Sequence, residues 1–195
     1  MSEASLVVQA PAKVNLLLRV AGRRPDGYHE LESMKQTVAP ADTLHLARRP
    51  RPGIELAADL AWVPRGPENL AWRGAELFLD RVGGAEGVAI RLVKRIPAGA
   101  GLGGGSSDLA ALLAGMNRLW DEPLEQKELA ALAARLGSDT AFFVTGGRAL
   151  CRGRGEVVAP LAASPPFTCL LVMPPFPCPT TRVYRFLEPA DFSGE

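Results

Sequence analysis

Histidine and cysteine are scarce in these 195 residues: two histidines, and three cysteines at positions 151, 169 and 178. Cys151, Cys169 and Cys178 show no CxxC spacing and no histidine partner, so the common structural metal frameworks are excluded and no protein-held metal site is expected. An odd number of thiols without a disulfide pattern suits a reducing cytoplasm. Excess charge is absent too, with 22 Lys and Arg against 21 Asp and Glu, which leaves no electrostatic footprint for nucleic acid. No run of about 18 apolar residues occurs, so no membrane-spanning helix is expected. The start, MSEASLVVQA, lacks a basic region leading into a long apolar core, and so does not read as a signal peptide. The expectation is a cytoplasmic enzyme or binding protein with no membrane and no nucleic-acid partner.

What the chain does have is apolar residues (47%), glycine (20) and proline (17), in proportions that suit one substantial domain or one domain with part of another. SLVVQAPAKVNLLLRVAG predicts two short strands interrupted at Pro11, with Val14, Leu16, Leu18 and Val20 on one face. The Pro-Asp-Gly of GRRPDGYHEL predicts a tight turn, and DTLHLA a further strand. Arg48, Arg49 and Arg51, interrupted by proline, read as a solvated loop, and residues 49–67 as an irregular hairpin or loop. ENLAWRGAELFLDRVG predicts a helix that stops at Gly83, and GVAIRLVKRIP a strand ended by Pro97. Leu109, Leu112, Leu113, Met116, Leu119 and Trp120 form one helical stripe, with Ser106 or Ser107 as its N-cap. PLEQKELAALAARLG predicts another helix, GRALCRGRGEVVAPL a hairpin turning at Gly153–Gly155, and FTCLLVMP a buried strand. A short helix is expected around Arg182. Hairpins mixed with strand–helix units make the class α+β, a mixed sheet packed with helices.

Between strand and helix lies PAGAGLGGGSSD, with five glycines between positions 99 and 105. A flexible linker would be flanked by polar low-complexity sequence, not by a strand and a capped helix. Gly99, Gly101 and Gly104 satisfy G-x-G-x-x-G, but the βαβ unit that a dinucleotide fold requires does not follow, so a dehydrogenase is a remote reading. No Gly-Lys-Ser/Thr closes a Walker A loop. An anion cradle at a helix N-terminus remains, with tight helix–strand packing as the alternative.

PAGAGLGGGSSDLAALL resembles the nucleotide loop of the GHMP kinases. APAKVNLLLRV around Pro11, DGYHELES from Asp26 and LGSDTAFFVTGG extend the resemblance over the chain in the same motif order. Within that superfamily they are similar to the branch acting on 4-(cytidine 5'-diphospho)-2-C-methyl-D-erythritol. The resemblance implies phosphorylation of that substrate's 2-hydroxyl by ATP with Mg²⁺, a step of non-mevalonate isoprenoid biosynthesis. It implies that Pro97, Ala98, Gly99, Ala100, Gly101, Leu102, Gly103, Gly104, Gly105, Ser106, Ser107 and Asn69 hold the nucleotide. It makes Asp139 the carboxylate that orients the acceptor hydroxyl, and Lys13 its partner. Asn15, Tyr28 and His29 would bind substrate, with Tyr184 as a second aromatic against the cytosine.

Blander roles compete at each position: Asp139 and Asn69 as helix caps, Lys13 as a surface lysine, Tyr28 and His29 as rim residues, Tyr184 as core packing. Thr140 and Ala141 depart from the Val-Pro usual after the family's aspartate. Family members run longer, so residues 1–155 are expected to form the nucleotide-binding domain and 156–195 the beginning of a second. Uncovered apolar surface and self-association would follow. An inactive nucleotide-binding fragment, or a kinase for homoserine or mevalonate, are the other readings.

Overall fold

The computed structural model describes residues 4–83, 85–163, 165–173, 176 and 180–192. Its strands are β1 (Ser5–Arg23), β2 (His29–Arg49), β3 (Gly53–Ala58), β4 (Gly87–Val93), β5 (Arg148–Gly153) and β6 (Val157–Pro160). The helices are α1 (Leu70–Val82), α2 (Gly104–Leu119), α3 (Gln126–Ala134), α4 (Thr140–Thr145) and α5 (Thr180–Arg185). The class is α+β, as expected. Among the described residues no helix is long and apolar enough to cross a membrane.

The long strand β2 organises the sheet, whose order is β3-β4-β2-β5-β6 with β1 also paired to β2. β1 runs antiparallel along one edge of β2. The other edge is shared: β5 pairs with Leu31–Gln36 and β4 with Thr43–Arg49. Residues 37–42 lie between these two ladders. β3 lies parallel to β4. The core forms where α1 and α2 cover the sheet, with Phe78, Leu109, Leu112 and Met116 packed against Leu44, Leu46 and Leu92. The stripe predicted for α2 is buried from Leu109 to Leu119, and Trp120, half-buried, is the helix's C-cap.

Several sequence expectations are corrected. Pro11 does not interrupt β1; a register shift between Pro11 and Ala12 absorbs it, as bulges absorb prolines in strands. A second shift between Asn15 and Leu17 breaks the period, leaving Leu16 and Leu18 39% and 45% exposed. Residues 49–67 contain β3. Arg48 and Arg49 end β2, and Arg48 pairs with Glu86 at 2.5 Å while its guanidinium stacks on Trp120. Residues 167–173 are not a buried strand: no ladder pairs them, and Leu170 and Val172 are 88% and 81% exposed. Apolar, β-forming residues make a strand only where a neighbouring strand supplies partners.

The predicted hairpin stands as β5–β6, with Gly153 and Gly155 at positive φ in its turn. β6 pairs with β5 in the same sheet, so the sheet continues past the boundary expected after residue 155. Cys151 is a buried free thiol and Cys169 an exposed one. Cys178 lies outside the described residues.

Candidate active site

The glycine-rich segment leaves β4 under tight control. Asp42 accepts the backbone N–H groups of Arg95 at 2.5 Å and Ile96 at 2.8 Å. Its other oxygen meets the ammonium of Lys94, which also donates to Asp108 Oδ2 at 2.6 Å. All three charged side chains are buried. Burial and then the neighbouring Asp42 charge work against Lys94 and push the Asp108 carboxyl up to about 7. Burial alone would lower Lys94, but Asp108 and Asp42 hold it above its ordinary value. Asp108 Oδ1 is buried without a hydrogen-bond partner.

Beyond Ile96, alternate residues Gly99, Gly101 and Gly103 adopt φ of 69°, 72° and 74°, a backbone that side-chain-bearing residues rarely accept. Gly103, not Ser106 or Ser107, caps α2. The helix begins at Gly104, so its first-turn N–H groups, without intrahelical partners, face the bend of the loop. The loop borders a cleft of about 280 Å³ whose lining runs from Pro97 to Gly105 and includes Trp62, Pro64, Asn69, Lys94 and Asp108.

Asn69 lies at this cleft and also caps α1, its Oδ1 accepting from Ala71 N at 2.9 Å; one side chain serves the bland role and borders the cavity. Ser106 is half-buried at the start of α2. Ser107 is different from the expectation. Its hydroxyl donates to the Pro11 carbonyl at 2.7 Å and its N–H to Gly103, which ties the helix to β1 and turns both donors away from the cleft.

On the far side of the loop the backbone N–H of Lys13 donates to Leu102 at 3.0 Å, and a Cβ at Gly103 would stand 3.2 Å from Lys13 Cγ. The buried Lys13 stem thus runs alongside the glycines. Its ammonium lies 3.7 Å from Asp139 Oδ2 and donates to Asn15 Oδ1 at 3.3 Å. Asp139 stands at the N-cap position of α4 but makes no side-chain capping bond. Its Oδ1 instead accepts from Lys35 at 2.6 Å. Burial would raise the Asp139 carboxyl, but Lys35 first and Lys13 second hold it below the usual carboxylate range. Burial, with Lys35 adding to it, lowers Lys13.

Lys35 was not among the residues that the sequence reading singled out. His29, Ser33 and Lys35 share parity along β2 and are all buried, a tertiary fact that the strand pattern does not carry. A lysine in that company points into the molecule.

A third group completes the arrangement. Tyr28 follows the predicted turn, where Gly27 takes φ 84° and Asp26 accepts the Tyr28 N–H at 3.1 Å. Tyr28 is half exposed, with the Arg154 guanidinium 4.8 Å from its ring centre. His29 packs against Tyr184 at 5.2 Å and edge-on to Phe192 at 6.0 Å, and its buried Nε2 has no hydrogen-bond partner. Tyr184 therefore meets His29 directly. Asn15 is exposed beside Lys13.

The model for the GHMP kinases N terminal domain matches residues 69–147. A 4-diphosphocytidyl-2-C-methyl-D-erythritol kinase of Geobacillus thermodenitrificans (strain NG80-2) is 46% identical over 186 residues, covering 94% of this chain and 63% of that protein. The same-named kinase of Pelotomaculum thermopropionicum is 47% identical over 180 residues, covering 92% of this chain and 63% of that protein. A crystal structure of 4-(cytidine 5'-diphospho)-2C-methyl-D-erythritol kinase superposes with a TM-score of 0.78 at 42% identity, covering 97% of this chain and 67% of that one. A homoserine kinase from Cytophaga hutchinsonii, at 23% identity and TM-score 0.66, shares the fold. The chain spans just under two thirds of the length of the curated relatives it matches. With the loop, the paired lysine and aspartate, and this similarity in hand, the chain belongs to the 4-diphosphocytidyl-2-C-methyl-D-erythritol kinase family of the GHMP kinases.

Proposed function

We propose that this chain carries the phosphoryl-transfer site of a cytoplasmic kinase that uses ATP to phosphorylate the 2-hydroxyl of 4-(cytidine 5'-diphospho)-2-C-methyl-D-erythritol, in non-mevalonate isoprenoid biosynthesis. The observation that carries the reading is the contact between Lys13 and the glycine loop, which sets Asp139 next to an anion cradle. Residues 97–106 would wrap the ATP phosphates with backbone N–H groups and the helix terminus, and Asn69 and Trp62 would border the base. Asp139, held as a carboxylate, orients the acceptor hydroxyl and takes its proton; Lys13 stabilises the charge on the moving phosphoryl group.

Among the described residues no group of three or more His, Cys, Asp or Glu could hold a metal. Mg²⁺ would enter on the nucleotide phosphates, whose charge it neutralises. His29, with an unpaired buried nitrogen, and Tyr28 supply an edge and a face for a pyrimidine; Tyr184 closes against His29. The cytidine moiety would need either Arg154 to leave Tyr28 or to stack beyond it. Residues 1–155 are proposed as the nucleotide-binding domain and 156–195 as the beginning of a second.

Assaying the full-length protein with this substrate, mevalonate and homoserine tests the reading; preference for either of the latter overturns it. The second reading is a nucleotide-binding protein without catalysis. Titrating an ATP analogue with and without the cytidine substrate separates the two.

A further inference from the structure

Lys35 is 4% exposed and donates a hydrogen bond to Asp139 Oδ1 at 2.6 Å, shorter than the 3.7 Å separating Lys13 from Oδ2. A buried ammonium without a task is expensive, and an apolar residue would pack as well against Phe142, whose ring centre lies 5.9 Å away. Lys35 reaches the carboxylate from β2 while Lys13 reaches it from β1, so the two cations hold opposite oxygens. The side chain of Asp139 is one-third exposed, so the carboxylate is gripped on one side and open on another.

Resting on the kinase reading above, we propose that Lys35 is a positioning residue of the phosphoryl-transfer site: it holds Oδ1 of Asp139 and thereby presents Oδ2 to Lys13 and the acceptor hydroxyl. The division of labour follows from geometry. The oxygen held by the short ammonium bond is the weaker proton acceptor of the two, and the oxygen with the longer contact is the more available to the substrate. The groups facing Asp139 are Lys13 of β1, Lys35 of β2, Cys151 of β5 and Tyr184 of α5. Of these only the two lysines are cationic, so removing Lys35 leaves Lys13 alone to keep the carboxylate ionised.

The test is Lys35→Met, which keeps length and packing, with Lys35→Gln where Met does not fold, and Lys35→Arg as the charge-retaining control. The Asp139 carboxyl is titrated by carbon-13 NMR in the 195-residue chain, and phosphoryl transfer by the full-length protein is followed against pH. In Lys35→Met the Asp139 midpoint should rise by about one to three pH units. The acid limb of kcat should move with it, kcat should fall by about 10²-fold, and KM for ATP should stay within a few fold. Lys35→Arg should restore the midpoint. An unchanged Asp139 midpoint in Lys35→Met, or a kcat loss without any shift of the acid limb, overturns the proposal. Failure of the kinase reading is separately visible, as a wild-type protein that titrates as described but transfers no phosphoryl group.

Discussion

The hydroxyl of Ser107 donates to the carbonyl of Pro11 at 2.7 Å, joining the first turn of α2 to the bulge in β1. The serine is buried, so its loss leaves a carbonyl without its partner. Ser107→Ala should cost about 1–2 kcal/mol in urea unfolding, as a lower midpoint at unchanged slope. An unshifted midpoint would show that water replaces the bond.

Gly103 combines φ 74° with a tight surrounding, since an added Cβ would lie 2.8 Å from the Phe143 ring. The same Cβ would press on the Lys13 stem. Gly103→Ala should therefore weaken binding of an ATP analogue by about tenfold or more, from a left-handed strain of about 1–2 kcal/mol plus the clash. Calorimetric titration reads this, and equal affinities would detach the loop conformation from nucleotide binding.

Asp139→Asn retains the shape of the side chain and removes the proton acceptor. Phosphoryl transfer by the full-length protein should drop by about 10²–10⁴-fold while nucleotide affinity changes little. Wild-type turnover in this variant would remove Asp139 from the mechanism.

The buried Asp108 carboxyl, pushed up to about 7, holds its proton in the folded chain where the unfolded chain has released it. Its contribution to stability is fully present below about pH 4 and lost as pH rises through about 7, with a slope of at most about 1.4 kcal/mol per pH unit. Asp108→Asn has no such proton to lose. The unfolding free energy of wild type relative to this variant should fall between about pH 4 and pH 7; parallel curves would contradict the assignment.

Leu170 and Val172 stand almost fully exposed, with Phe176 and Phe186 also largely exposed. This surface should drive self-association of the 195-residue chain. Sedimentation of Leu170→Ser combined with Val172→Ser should show a larger monomer fraction than wild type. A wild-type chain that is already monodisperse and monomeric would count against the idea.

Much of this was legible in advance because it rests on local rules. The stripe from Leu109 to Leu119 needed only helical spacing, the turn at Gly27 only Pro-Asp-Gly, and the stop at Gly83 only a left-handed glycine. What escaped depends on partners distant in sequence. Whether Lys35 meets Asp139 depends on pairing β2 with both β1 and β5, and a strand pattern alone does not state its neighbours. Ser107 looked like a helix cap because capping is a local preference; its bond to Pro11, 96 positions away, is a tertiary competitor that won. Leu170 looked buried because hydrophobicity says what a residue prefers, while burial also requires something to lie against it.

The glycine loop is loose in composition, yet folding gives it little slack. Asp42 holds it at Arg95 and Ile96, Lys13 at Leu102, and Ser107 at its end. Each tether has one end on β1 or β2, so the cleft and the pairing of those two strands are thermodynamically one object. A bound anion must then stabilise the β1–β2 ladder by mass action, and fraying of β1 must release the anion. Backbone amides of β1, far from any phosphate, should exchange more slowly with solvent once the cleft is filled.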